Sequence, residues 1–114
     1  MFNVAIVGGE NTKNYPKFEY KCAKILQKKA SEGEKIVILS TGDKFNDDFA
    51  KKFHINTRLF ITDWKKYGKD ALKMRNEDLL KDCNAVIAFR NDLKDIQMIT
   101  KMAVDKQLPL RIIQ

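Results

Sequence analysis

Val4-Ala5-Ile6-Val7-Gly8-Gly9 opens the chain with four consecutive apolar residues, three of them β-branched, ending in paired glycines. A strand that is apolar at every position is buried on both faces, as in a parallel sheet covered by helices above and below. The same grammar returns downstream. Residues 35–39 carry Ile36-Val37-Ile38-Leu39 and end in Ser40-Thr41-Gly42. Residues 84–89 carry Ala85-Val86-Ile87-Ala88-Phe89, and residues 110–113 form a last short run after Pro109. Residues 57–61 are a weaker fifth candidate.

Between these runs the period changes to that of a helix. Pro16 suits a first helical turn, Phe18, Cys22, Ile25 and Leu26 recur at helical spacing, and Gly33 closes the segment. Phe45, Phe49 and Phe53 mark one face of a second helix at i, i+4 and i+8. Residues 63–69 read as a loop rich in aromatics and charge. A helix follows over roughly residues 71–81, and a last one carries Ile96, Ile99, Met102 and Ala103. The alternation β-α-β-α-β-α-β-α-β predicts an α/β protein: a three-layer α/β/α sandwich around a five-stranded parallel sheet. In such sheets ligands bind beyond the carboxyl ends of the strands, near the point where strand order reverses.

The 114 residues fit one domain spanning residues 1–114, with no repeat, linker or low-complexity segment. No apolar run approaches the ~18 residues of a membrane span. The start, Met1-Phe2-Asn3-Val4, has no basic leader, so a cytoplasmic protein with no membrane partner is expected. Cys22 and Cys83 are far apart and in no CxxC pair, which reads as two buried free thiols. His54 is the only histidine, which argues against a zinc site and against a His-based catalytic pair, and no cofactor is expected. The net charge of +7 invites a nucleic-acid reading, but it rests on 18 Lys against 4 Arg. Base readout and tight phosphate clamps favour arginine, so nucleic acid is not the expected partner.

Four loops follow the first four strands. In the first, Gly8 and Gly9 let backbone N–H groups approach an anion, although Glu10 would repel a phosphate there; the alternative is a tight strand-to-helix turn. In the second, Thr41, Gly42 and Lys44, with Asp47 beyond, can cradle a phosphate or ribose, or can equally form a cap and a turn. The GxxxxGK[ST] spacing of a P-loop is absent. The third loop is the most specific. Trp64 and Tyr67 can stack a planar ring, with Asp63, Lys65, Lys66, Gly68 and Lys69 around them. The fourth, Arg90-Asn91-Asp92, reads as a solvated connection.

The helix after the third loop has a buried stripe of Leu72, Leu79 and Leu80, and Arg75 and Asn76 fall within it by spacing. A buried guanidinium left unpaired is costly. Arg75 therefore pairs with a carboxylate such as Asp63, or it points into a polar pocket.

These residues resemble the SLOG superfamily of Rossmann-like proteins, which also holds the LOG phosphoribohydrolases and the DNA-processing protein A fold. The similarity is to its small single-domain branch of largely uncharacterised bacterial and phage proteins. It covers nearly the whole chain. It is strongest in Asp63-Trp64-Lys65-Lys66-Tyr67-Gly68-Lys69-Asp70-Ala71 followed by Arg75-Asn76, and continues through residues 85–89 to residues 108–113. The resemblance implies strand order 3-2-1-4-5 and a nucleotide or nucleotide-derived ligand held across the loops. Three loops depart from the family pattern. Gly8-Gly9-Glu10 stands for Gly-Ser-Arg, residues 41–47 keep one glycine, a cation and Asp47 of a Gly-Gly-Ala-Arg-Gly-Ala-Asp motif, and Asp95-Ile96 stands where Gly-Thr opens the last helix. The Pro-Gly-Gly-x-Gly-Thr-x-x-Glu motif of the LOG enzymes is missing, so their activity is not carried over.

Three functions follow as expectations. The first is a binding module, a sensor or sequestering protein for a nucleotide-like molecule. The second is a protein-interaction module on a degenerate scaffold, phage-encoded and directed at a host protein, or self-pairing as a homodimer through Phe18, Tyr20 and Phe53. The third is an enzyme acting at an N-glycosidic bond through Asp43, Asp47 or Asp63, whose simpler role is helix capping.

Overall fold

In the computed structural model, which describes residues 1–90 and 92–114, the five apolar runs become strands. They are β1 (Phe2–Val7), β2 (Ile36–Ser40), β3 (Asn56–Leu59), β4 (Ala85–Phe89) and β5 (Leu110–Ile113). All pair in parallel, in the order β3-β2-β1-β4-β5. Among the described residues five α-helices intervene: α1 (Tyr15–Ser31), α2 (Lys44–Phe53), the one-turn α3 (Trp64–Tyr67), α4 (Ala71–Lys81) and α5 (Lys94–Asp105). The chain is therefore a Rossmann-like α/β protein with helices on both faces of a parallel sheet. Asn91, part of the fourth loop, lies outside the described residues. Among the described residues, no helix is long and apolar enough to cross a membrane.

The two-residue period of the strands divides the core in two. Val4, Ile6, Ile38, Ile87 and Phe89 face α1 and α2, where they meet Phe18, Cys22, Leu26 and Phe49. Ala5, Val7, Val37, Leu39, Val86 and Ala88 face α4 and α5, where they meet Leu79, Leu80, Ile99 and Ala103. Alternate side chains leave opposite faces, so an all-apolar strand supplies both layers at once. Cys22 and Cys83 are free and buried, one in each layer.

Several local expectations change. Residues 63–69 hold a helical turn and a 3₁₀ turn (Gly68–Asp70) rather than an open loop, because the Asp63 carboxylate accepts the Lys66 N–H at 3.1 Å and caps α3. The third strand is shorter and begins a residue earlier than predicted, and all four of its residues are exposed, as befits an edge covered on neither face. In the first turn of α4 it is Ala71 that is fully buried, while Leu72 is half-buried. Phe18 is no docking residue. It is fully buried, ringed by Tyr15, Phe45, Phe49 and Phe89 with centroid separations of 5.2–6.0 Å.

Candidate functional site

Strand order reverses between β1 and β4, so the first loop lies at the switch point, with the second loop beside it. The first loop is a 3₁₀ turn (Gly9–Thr12) entered through Gly8 at φ 79°. Gly9 is required for packing: a Cβ there would lie 2.3 Å from Phe18 Cε2. The second loop turns at Gly42 and ends at Asp43, the N-cap of α2, whose Oδ1 accepts the Phe45 N–H at 2.8 Å.

Two carboxylates tie these loops together. The backbone N–H of Glu10 donates to Asp43 Oδ2 at 2.9 Å, and the backbone N–H of Lys44 donates to Glu10 Oε2 at 3.3 Å. The N-terminus of α2, a helix end that favours anions, is thus met by the chain's own acidic side chains. Burial raises the Asp43 carboxyl above the usual aspartate range, and the neighbouring Glu10 charge adds to the shift. Thr41 is half-buried, and Lys44 and Asp47 are exposed on the rim.

Beneath this knot lies a residue that sequence reasoning passed over. Asn46 is fully buried, and its Nδ2 donates to the Ile6 carbonyl at 2.8 Å and to Ser40 Oγ at 3.2 Å. Its spacing held the signal: Asn46 precedes Phe49 by three and Ala50 by four, on the same helix face.

The third loop forms a separate cavity of about 590 Å³. Trp64 and Tyr67 wall it, Asp63 and Arg75 line it, and Thr62 and Asp78 join them. Asp78 follows Arg75 by three on α4, which puts both on one face and could have been read from the sequence. Gly68 and Lys69 sit in the next turn, outside the cavity wall, and Asn76 is fully buried. The structure therefore brings Asp63, Trp64, Tyr67 and Arg75 together, and the first-loop and second-loop residues form a distinct group.

Arg75 is half-buried, and its Nε donates to Asn76 Oδ1 at 2.9 Å. Its two terminal nitrogens have no hydrogen bond or ion pair among the described residues, and Asp63 is not its partner. Burial pulls the guanidinium pKa down, and the charge of Asp95 on α5 opposes this. Asn76 Nδ2 is also buried without an acceptor among the described residues. Lys66 stands over the Tyr67 ring, 5.1 Å from its centroid, and its pKa is raised by the Tyr67 hydroxyl. No cluster of three potential metal ligands occurs among the described residues. Set against known proteins, no family model matches the chain, and no curated protein or solved structure matches it either.

Proposed function

We propose that the chain is a SLOG-type binding module for a nucleotide or nucleotide-derived small molecule, held at the third-loop cavity. The observation that carries this reading is Arg75. Its guanidinium is oriented by Asn76 through Nε, which leaves both terminal nitrogens free at the wall of a cavity bounded by two aromatic rings. A planar fork of donors suits a phosphate, and Trp64 and Tyr67 suit a base. Asp63 spends one carboxylate oxygen on its cap, and the other can accept from a base or ribose. Lys65, Lys66 and Arg75 outnumber Asp63 and Asp78 around the cavity, which favours an anionic ligand. About 590 Å³ lies within the ordinary range for a small-molecule site.

The test is thermal stability against mono-, di- and cyclic nucleotides, NAD and ADP-ribose. A ligand at a hundred times its Kd adds ~2.7 kcal/mol, a rise of several degrees in a domain of this size. The expected result is a shift with one ligand class that is lost in both Arg75→Ala and Trp64→Ala. No shift across the panel sinks the reading.

A second reading, a protein-interaction module, draws on the first two loops. There Glu10 and Asp43 occupy the hydrogen-bond donors that a phosphate would need. It predicts a flat response to the whole panel together with a partner whose binding survives Arg75→Ala.

A further inference from the structure

At the opposite end of the sheet from the loops, α1 and α2 part. Their upper turns are locked by the Tyr15, Phe18, Phe45 and Phe49 rings. Below that lock α2 stops at Phe53 while α1 runs on to Ser31. A trough of about 890 Å³ opens between them, running along α1 from Glu19 to Ala30, roughly 16 Å at the α-helical rise. Its floor is apolar: Ala23, Leu26, Ile36 and Ile55. Its walls are two aromatic rings left in solvent, Tyr20 at 60% and Phe53 at 42% exposure. Single exposed aromatics are ordinary, but two bordering one apolar floor mark a binding surface.

The charges at the rim decide what fits. Glu19 is paired with Lys52 at 2.8 Å and Glu34 with the terminal amine of Met1 at 3.1 Å. Lys24 and Lys35 also line the trough, and neither is in an ion pair among the described residues. Lys24 has only the face of Tyr20, at 5.7 Å. The acidic groups are thus neutralised and two cations are left over beside an apolar channel. A second copy of the chain would bring the same cations and another net charge of +7 against them, so self-pairing is disfavoured.

We propose that this trough binds an amphipathic organic anion: a free single-chain carboxylate, with its apolar body between Tyr20 and Phe53 and its head group at Lys24 and Lys35. This site is independent of the third-loop cavity.

The test is displacement of anilinonaphthalene sulfonate fluorescence by dodecanoate, below its micellar concentration, with dodecanol as the neutral control. Dodecanoate is expected to bind one per chain and about tenfold tighter than dodecanol, the least that a charge-assisted hydrogen bond is worth. Lys24→Ala with Lys35→Ala should erase that preference and leave dodecanol binding unchanged. Ala23→Trp should fill the floor and abolish both. Should that variant fail to fold, Tyr20→Asp, at an exposed position, should weaken dodecanoate by a similar factor. Equal binding of acid and alcohol overturns the proposal, as does full binding by Ala23→Trp. A trough that ignores dodecanoate but takes a glutamate-rich amphipathic peptide is a protein groove, and one that is closed by dimerisation in sedimentation is a self-interface. Either result also overturns it.

Discussion

Gly9 and Asp43 show how single positions in the switch-point loops are tied to the fold. A methyl group on Gly9 would collide with the edge of Phe18, and Phe18 is held on four sides by other rings. Gly9→Ala should therefore cost about 1–3 kcal/mol as an overpacking substitution, read by urea denaturation. Only a loss near zero would mean that the ring cluster can yield. Asp43 predicts a pH dependence. Its carboxyl titrates above the usual range because it is buried beside Glu10, so between its unfolded and folded pKa values the native state binds more protons than the unfolded chain. Stability from this group is then lost as pH rises through that window. Asp43→Asn should be less stable overall, because an amide cannot accept from both the Glu10 and Phe45 N–H groups. Its deficit should shrink as pH rises from about 4, where the wild type begins to bear the cost of ionisation. A deficit that grows with pH would contradict the assignment. At this scale the sequence was legible where a polar residue broke an apolar stripe. Asn76 was found that way, and Asn46 was open to the same reasoning. The Glu10–Asp43 knot was not legible, because it joins two loops 33 residues apart and only the folded sheet brings them together.

The strands were the most legible elements, since β-branched runs on a doubly covered sheet permit little else, and even the weak third run proved to be a strand. Its weakness has a physical cause: β3 is an edge with no helix over it, so nothing requires its residues to be apolar. The segment from Asp63 to Lys69 reads as a loop in the sequence because its four-residue helix is too short for periodicity to show. Its capping aspartate was the available signal. Helix α1 offers a direct check on cap reading. Asn14 Oδ1 accepts the Lys17 N–H at 3.1 Å, and Pro16 sits in the same first turn. Asn14→Ala should cost ~1 kcal/mol, while Asn14→Asp should be neutral or stabilising, because it keeps the acceptor and adds a favourable charge at the positive end of the helix. Equal losses in the two variants, measured by thermal denaturation, would show that the side-chain bond contributes nothing.

The whole molecule is one sheet with two cores, and the two cysteines report on them separately. Cys22 lies in the α1/α2 layer with its thiol pKa pushed up to about 12 by burial. Cys83 lies in the α4/α5 layer, its thiol also raised by burial and its Sγ donating to the Ala85 carbonyl at 2.9 Å. A thiol held protonated and out of solvent does not react, so labelling requires opening. The layers share β1, β2, β4 and β5: Val4 and Ala5, or Ile87 and Ala88, face opposite sides of one backbone. Neither face can lose its strands without exposing the other, and small single domains generally unfold as a unit. In Cys22→Ala and Cys83→Ala variants, the remaining thiol should therefore be labelled by an aromatic disulfide at the same rate. That rate should carry the urea dependence of global unfolding. Faster labelling of Cys83, with a shallower urea dependence, would instead mean that α4 and α5 lift from the sheet while α1 and α2 stay docked. That outcome would matter for function, because Arg75 and Asn76 ride on α4: a layer that opens by itself would make the third-loop cavity a site assembled on binding rather than one held ready for its ligand.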